Sequence, residues 1–380
     1  MDWAPLWESR RVSILWMVTE LRASRSNRRQ FLTGVLAVGF APKPTWADAG
    51  SPSYLSAAAR PDGAFVLCGI NADLSIAFEQ PLPARGHAAA AHPTRPEAVA
   101  FARRPGTFAM VIDCITGAQK AQLSAPSGRH FYGHGVYSAD GNLLFTTEND
   151  YEAGQGRIGV WDVRRGYVRT DDWGSGGIGP HDILRLPGTD ILVVANGGID
   201  THPASGRTKL NIPTMRANLA YVDNGSVLET ALLPENMQKS SIRHLAIGPD
   251  NTVIFGMQWE GQGQPDALVG THRRGQGMAF LSAPSAAVRD MNGYIGSVAV
   301  SNDGRLIAAT SPRGGVLQMY DATTAALQSA IHFEDVCGVA QQGIGFSVTS
   351  GTGVLRAVSA GQQRVEHATL LAWDNHLIGI

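Results

Sequence analysis

Short apolar segments separated by tight turns fill the chain after residue 50, and one pattern of them returns. Each copy holds an apolar strand, a turn rich in Asp, Gly or Asn, and a second apolar strand, as at residues 58–67, 136–145, 245–255 and 298–307. Asp-Gly and Asp-Asn suit the turn of a tight hairpin because they tolerate positive φ. The pattern therefore predicts a series of β-hairpins.

A second strand that ends in Asp follows several of these hairpins, as at Asp113, Asp162, Asp223 and Asp321. Together the two elements give room for four short strands in each unit, which is the blade of a propeller. The seven units begin near Tyr54, His87, His134, His181, His244, Ser297 and Cys337. We therefore predict an all-β fold, a seven-bladed β-propeller with four-stranded antiparallel blades, formed as a single domain by residues 50–380. A two-sheet sandwich is the alternative, but it does not require a regular period.

Residues 1–49 have a different character from the rest of the chain. Arg28 and Arg29 directly precede an apolar run at residues 32–40, and Ala47-Asp48-Ala49 supplies small residues at the spacing that a signal peptidase reads. The run is too short to span a bilayer permanently. This pattern predicts a twin-arginine signal peptide with a long leader, cleavage near Gly50 and a periplasmic location. The alternative is a chance Arg-Arg pair before an apolar helix of the domain.

Composition excludes several classes of protein. Lys and Arg total 31 against 32 Asp and Glu, so the net charge of -1 provides no general field for nucleic acid. Three scattered cysteines, Cys68, Cys114 and Cys337, are too few for a disulfide framework or a clustered zinc site. The nucleophile, phosphate-loop and dinucleotide motifs of common enzymes do not occur in a convincing context.

Histidine occupies one equivalent position in four successive units, at the start of the innermost strand. Inner strands of a propeller line its central channel, so these side chains are expected to converge on the axis. Imidazole and thiolate are ligands for iron, copper and zinc. The alternative is that the imidazoles bond to backbone groups and channel water without a metal. The candidate metal ligands are His87, His134, His181 and His244, with Cys337 as a possible fifth.

More polar residues lie where the second strand of each blade ends, on the same face as the histidines. An arginine could hold a carboxylate or phosphate, an indole could stack on a ring, and a carboxylate could act as a base or complete a metal shell. Each of them alone could instead stabilise a loop. These candidate ligand-binding residues are Arg103, Arg104, Glu148, Asn149, Asn196, Gln258, Trp259 and Arg313.

An insertion of about twenty residues between Asn196 and Leu219 interrupts the fourth unit. Long loops on rigid scaffolds are often functional lids, although a solvated excursion without a role is the alternative.

Several short motifs resemble the exported family known as domain of unknown function 1513. The motifs are Arg85-Gly86-His87, Gly133-His134-Gly135, Gly179-Pro180-His181, Ile242-Arg243-His244, Ser311-Pro312-Arg313 and Trp373-Asp374-Asn375-His376. The resemblance runs from about Tyr54 to the carboxyl terminus. It implies a seven-bladed propeller similar to the quinoprotein amine dehydrogenase beta-chain-like group. It also implies an association with periplasmic iron-uptake proteins, alongside imelysin-like and di-haem peroxidase-like proteins, and carries no catalytic residues over.

The sequence thus favours a periplasmic propeller that binds a metal, iron or copper, or a small ligand at its axial mouth, in iron acquisition. Two other hypotheses stay open: an oxidoreductase acting on a small anion, and a non-catalytic scaffold that docks a protein partner. The sequence does not decide the catalytic residues, the metal, the substrate, the oligomeric state or whether translation starts at Met1 or Met17.

Overall fold

The computed structural model describes residues 43–103, 107–206, 208–359 and 362–380. The predicted signal peptide, up to residue 42, and Arg104 lie outside the described residues. Within those ranges, strands dominate, and the one α-helix is the short segment Ser285–Asp290. No described helix has the length and apolar character needed to cross a bilayer.

The strands form seven antiparallel sheets, which are the blades, and blades 2 to 7 each contain four consecutive strands. Blade 1 is β1 (Tyr54–Ala59), β2 (Phe65–Ile70) and β3 (Ile76–Leu82); blade 2 is β4 (Gly86–Ala91), β5 (Glu97–Ala102), β6 (Phe108–Asp113) and β7 (Gln119–Ser124); blade 3 is β8 (Arg129–Tyr137), β9 (Leu143–Asp150), β10 (Gln155–Asp162) and β11 (Val168–Gly174); blade 4 is β12 (Pro180–Arg185), β13 (Leu192–Asn196), β14 (Asn218–Asp223) and β15 (Ser226–Leu232). Blade 5 is β16 (Ser240–Ile247), β17 (Val253–Trp259), β18 (Val269–His272) and β19 (Ala279–Phe280); blade 6 is β20 (Ser297–Val300), β21 (Leu306–Ser311), β22 (Val316–Asp321) and β23 (Leu327–His332); blade 7 is β24 (Val336–Gln342), β25 (Gly345–Ser350), β26 (Val354–Ser359) and β27 (Gln362–Ala368). The predicted seven-bladed β-propeller with four-stranded blades is confirmed.

Blade 1 receives its innermost strand from the distant end of the sequence. The short strands β28 (Ala372–Trp373) and β29 (Ile378–Gly379) both pair with β1. This pairing closes the ring between blades 7 and 1. The sequence pattern placed Ser56 on the channel-lining strand, but the closing segment lies inside it, and the Ser56 hydroxyl donates to the His376 carbonyl at 2.8 Å.

The apolar core lies between the faces of neighbouring blades. Tyr221 of blade 4 packs in one cluster with Phe255 and Met257 of blade 5, and all three are fully buried. Because both faces of a strand are buried when blades pack on each other, such a strand has a nearly continuous apolar sequence. The closure between blades 7 and 1 is packed in the same way, around Cys68, Leu355 and Trp373.

The three cysteines belong to this packing and form no disulfide. Burial raises the pKa of Cys114 and of Cys337 to about 12, and it raises the pKa of Cys68 further. These thiols are therefore protonated at neutral pH and behave as small apolar side chains.

Irregular backbone recurs where the inner strands approach the axis. The pairing register shifts between Gly86 and Ala89 in β4, within β8, around His181 in β12, and at residue 243 in β16. Such β-bulges turn a side chain away from the regular alternation of a strand. In β8 the bulge includes Gly133 at φ 103°, where a Cβ would approach His87 Cδ2 to 2.6 Å. The bulges re-aim the side chains of this end towards the axis.

Candidate metal centre

Five imidazoles converge on the propeller axis at the end where the inner strands begin. The centroids of neighbouring rings lie 4.6 to 5.7 Å apart. His181 is partly accessible, and the other four are buried. We call this group the axial histidine cluster; its members are His87, His134, His181, His244 and His376. The structure thus brings the four sequence-predicted histidines together and adds a fifth.

A buried carboxylate orients His134. His134 Nδ1 lies 3.1 Å from Asp182 Oδ1, and Asp182 Oδ2 accepts a hydrogen bond from the Leu245 amide at 2.9 Å. Burial alone would raise the pKa of Asp182, but the charge and hydrogen bond of His134 outweigh it, and the pKa is lowered. The ionised carboxylate can only accept, so Nδ1 of His134 donates to it, and Nε2 is the nitrogen that lies near His87. A carboxylate behind an imidazole is a common support for a metal ligand.

A backbone carbonyl orients His181 in the same way. The distance from His181 Nδ1 to the Arg243 carbonyl oxygen is 2.9 Å, and a carbonyl can only accept, so Nδ1 donates. Desolvation, followed by the charge of Arg243, holds the pKa of His181 well below its usual range. The ring is therefore neutral at pH 7, with an unprotonated Nε2.

His244 and His376 present ring nitrogens without a partner. Both ring nitrogens of His244 and the Nε2 of His376 lack a hydrogen-bond partner among the described residues. Burial lowers the pKa of His244 to about 3 and places that of His376 well below its usual range. Unpaired polar atoms are costly in an interior and usually indicate a missing partner.

The nitrogens form two overlapping sets of three, in each of which they lie within 4.8 Å of one another. One set is His87, His134 and His181; the other is His134, His244 and His376. The Nε2 atoms of His134 and His87 are 3.3 Å apart. Two ligands at metal–nitrogen distances of about 2.0–2.1 Å and tetrahedral angles are separated by roughly 3.3 Å, so the spacing of His134 and His87 is that of two ligands of one metal ion.

Cys337 lies outside both sets. Its Sγ contacts the Thr349 carbonyl and hydroxyl at 3.5 Å and the Trp373 carbonyl at 3.7 Å. The closing segment packs against this part of blade 7, since a Cβ at the neighbouring Gly338 would lie 2.8 Å from the Leu377 amide nitrogen. His376, from that segment, is the fifth member of the cluster, the place that the sequence analysis assigned to the thiol.

A cavity of about 340 Å³ lies over the axial histidine cluster. Three of the predicted ligand-binding residues line it: Arg103, Gln258 and Arg313. The other lining residues are His87, Tyr132, His181, Lys209, Arg243, His244, Tyr294 and Asn375. The insertion of blade 4 contributes Lys209, which forms an ion pair with Glu260 of blade 5.

Four predicted ligand-binding residues do not line this cavity. Glu148 is fully buried and binds both terminal nitrogens of Arg169 at 2.6 and 3.0 Å. The amides of Asn149 and Asn196 serve the backbone, donating to the Thr201 carbonyl at 3.0 Å and the Ser175 carbonyl at 2.8 Å respectively. Trp259 donates from its Nε1 to the Gly263 carbonyl at 3.1 Å. These side chains stabilise blades and loops where the sequence analysis expected them at the mouth.

Sequence reasoning missed three contributors to the site: His376, Arg243 and Asp182. Two signals were available, since Arg243 directly precedes a predicted ligand, and His376 ends a polar run after Trp373 that no hairpin explains. Asp182 has the same signal as Arg243, since it directly follows the predicted ligand His181.

Acid is expected to destabilise the metal-free protein through these histidines. The pKa of histidine in the unfolded chain is about 6.5, so below that pH the unfolded chain binds protons and the native cluster does not. The stabilising contribution is complete above about pH 6.5 and decreases as the pH falls towards the native pKa, which for His244 is about 3. Each such histidine adds a slope of about 1.4 kcal/mol per pH unit. Urea unfolding between pH 8 and pH 5 measures it.

The exposed His332 provides the control for this prediction. The His332→Ala variant should keep the full slope of the free energy of unfolding against pH. The His244→Ala/His376→Ala variant should lose the part of that slope that two histidines contribute. Equal slopes in the two variants would contradict the assignment.

The fold is shared with solved structures of low sequence identity. A chain of hydrazine synthase from Kuenenia stuttgartiensis is similar with a TM-score of 0.57 and 13% identity, over 84% of this chain and 96% of that chain. BamB from Moraxella catarrhalis is similar with a TM-score of 0.51 and 14% identity, over 82% of both chains. No curated protein matches the chain. The matched range of the remaining comparison, residues 80–380, includes all five histidines of the cluster. It matches the family described as "Protein of unknown function (DUF1513)", and the chain belongs to this family.

Proposed function

We propose that this β-propeller binds one transition-metal ion, iron or copper, on the axial histidine cluster. The observation that carries the proposal is the pair of oriented tautomers. Asp182 and the Arg243 carbonyl each accept from an Nδ1, so Nε2 is the ligand atom that His134 and His181 would offer to one centre. Metal ligands must be deprotonated, and the lowered pKa values of His181, His244 and His376 satisfy that condition at neutral pH.

The donor set supports a borderline metal. Imidazole suits iron, copper, zinc and nickel, whereas magnesium and calcium prefer oxygen ligands. A three-histidine set leaves a coordination position open to another ligand, as in catalytic metal sites. His87, His181 and His244 also line the cavity above, so that position would be reached from the cavity. The proposed role is therefore to hold a metal and present it to a ligand.

The wider setting of the proposal is periplasmic metal handling. Its supports are the Arg28-Arg29 pair with the cleavage pattern near Gly50 and the family resemblance. A twin-arginine substrate crosses the membrane folded, so a metal loaded during folding would be carried with it. Iron-uptake proteins of the periplasm are the proposed partners.

Elemental analysis tests the proposal directly. The protein is exported through its own leader and purified without chelators or a polyhistidine tag, and a parallel sample is stripped and reconstituted with ferrous, cupric or zinc ions. We expect about one iron or copper per chain, retained through gel filtration. Protein that holds no metal after all three reconstitutions contradicts metal binding, and stoichiometric zinc alone contradicts the choice of iron or copper.

A further inference from the structure

The cavity over the axial histidine cluster has a strongly one-sided charge. Its cationic lining residues come from four blades: Arg103 of blade 2, Lys209 of blade 4, Arg243 of blade 5 and Arg313 of blade 6. No aspartate or glutamate is among the described residues that line it. Cations on several sides of one small cavity favour an anion with charge on more than one side.

Two nearby carboxylates neutralise this charge in part, and one of them is Glu260, which pairs with Lys209. Asp374 is buried and shared by two arginines, with Arg85 Nε at 2.6 Å and Arg103 Nη1 at 2.9 Å. Both of its oxygens thus accept from an arginine. One carboxylate between two guanidinium groups leaves a net positive charge at this wall.

Arg313 is positioned by an aromatic ring. Its guanidinium carbon lies 4.3 Å from the centroid of the Tyr294 ring, and both residues line the cavity. Stacking on a ring face holds the guanidinium plane while leaving its N–H groups at the edge available to donate. A guanidinium held in this way suits the two oxygens of a carboxylate.

The size and the neutral lining narrow the class of anion. A volume of about 340 Å³ lies at the lower end of the roughly 300–1,000 Å³ of small-molecule pockets, which suits a small organic ion. Gln258, Asn375, Tyr132 and Tyr294 add neutral polar residues to the lining. Such a lining is too polar for an apolar ligand, and the cavity is too large for a halide ion.

We infer that this cavity binds a small organic anion with two or more carboxylate groups. The arginines hold its outer carboxylate, and an inner carboxylate would reach a metal ion held at the cavity floor, which His87, His181 and His244 line. Binding by the arginines stands without the proposed function, whereas contact of the inner carboxylate with a metal ion rests on it.

The test is calorimetric titration of citrate and malonate into stripped, metal-free protein at low ionic strength. We expect saturable binding of the polycarboxylates, at least tenfold weaker binding of acetate, and a loss of affinity at high salt. Arg313→Gln should weaken citrate binding about tenfold or more. Absence of citrate binding, or phosphate binding more tightly than both polycarboxylates, would overturn the inference.

Arg305 provides the matched control. It is an exposed arginine in the hairpin turn between β20 and β21, at the end of the inner strand away from the cluster, and its side chain is 83% accessible. Arg305→Gln removes the same charge from the protein and should leave citrate affinity unchanged. Equal losses in the two variants would show a general charge effect and contradict a defined site.

The two proposals fail separately in this design. Citrate binding to wild-type protein that retains no metal after reconstitution overturns the metal centre and supports the anion site. Stoichiometric metal without citrate binding overturns the anion site and supports the metal centre.

Discussion

The His134→Ala/Asp182→Asn variant is expected to lose the proposed metal, from about one ion per chain to less than a tenth of that. His134 is the one residue that belongs to both three-histidine sets, so its removal leaves each set with two ligands. Asp182 is changed with it because an unpaired buried carboxylate would itself be strongly destabilising. Elemental analysis of the reconstituted variant measures the loss, and circular dichroism establishes that the propeller is folded.

Single variants then determine which set holds the ion. If it lies with His87 and His181, each of their alanine variants loses metal, whereas His244→Ala retains it. The reverse pattern places it with His244 and His376. Asp182→Asn alone should weaken metal affinity about 10- to 100-fold, because it removes the support of His134 but no ligand. The exposed His332→Ala is the control, and metal loss in it equal to that of His134→Ala/Asp182→Asn would contradict the site.

The second large effect is expected at the closure of the ring. Trp373→Ala should lower the free energy of unfolding by about 3–5 kcal/mol, the usual cost of truncating a buried aromatic side chain to alanine. Trp373 is 3% exposed and packs with the core of blades 7 and 1, and its backbone pairs with Ala58 of β1. Urea denaturation followed by fluorescence and circular dichroism gives the value.

Leu370 is the control for this prediction because it lies three residues away and is 83% exposed. Leu370→Ala should change the free energy of unfolding by no more than about 0.5 kcal/mol. A Trp373→Ala variant as stable as Leu370→Ala would show that the closing segment contributes little to the stability of the ring.

The blade count and four of the five histidines could be predicted from sequence. Asp-Gly turns fix where each hairpin reverses, and counting back from a turn gives the position of a residue along its inner strand. His87, His134, His181 and His244 share that position, and the structure brings them together. Arg103, Gln258 and Arg313 follow from the same reasoning at the ends of second strands.

The remaining residues depended on side-chain direction and on pairing between distant segments. Glu148 and Asn196 lie near the predicted end of the propeller, but the alternation of their strands turns both side chains into the blades. Arg243 lies at a β-bulge, which a sequence pattern does not reveal. His376 follows the last hairpin unit, so its place in the cluster follows only from the pairing of β28 and β29 with β1.

The closing segment also sets the order of folding events. Ser56 and His376 are in contact although they lie 320 residues apart in the sequence. Because this contact requires the closure of a very long loop, which is entropically unfavourable, we expect it to form late in folding. Blades 2 to 7 can each form from consecutive strands before that step, but the set of His134, His244 and His376 cannot. Metal held by this second set would accordingly distinguish a propeller whose ring has closed from one that is still open.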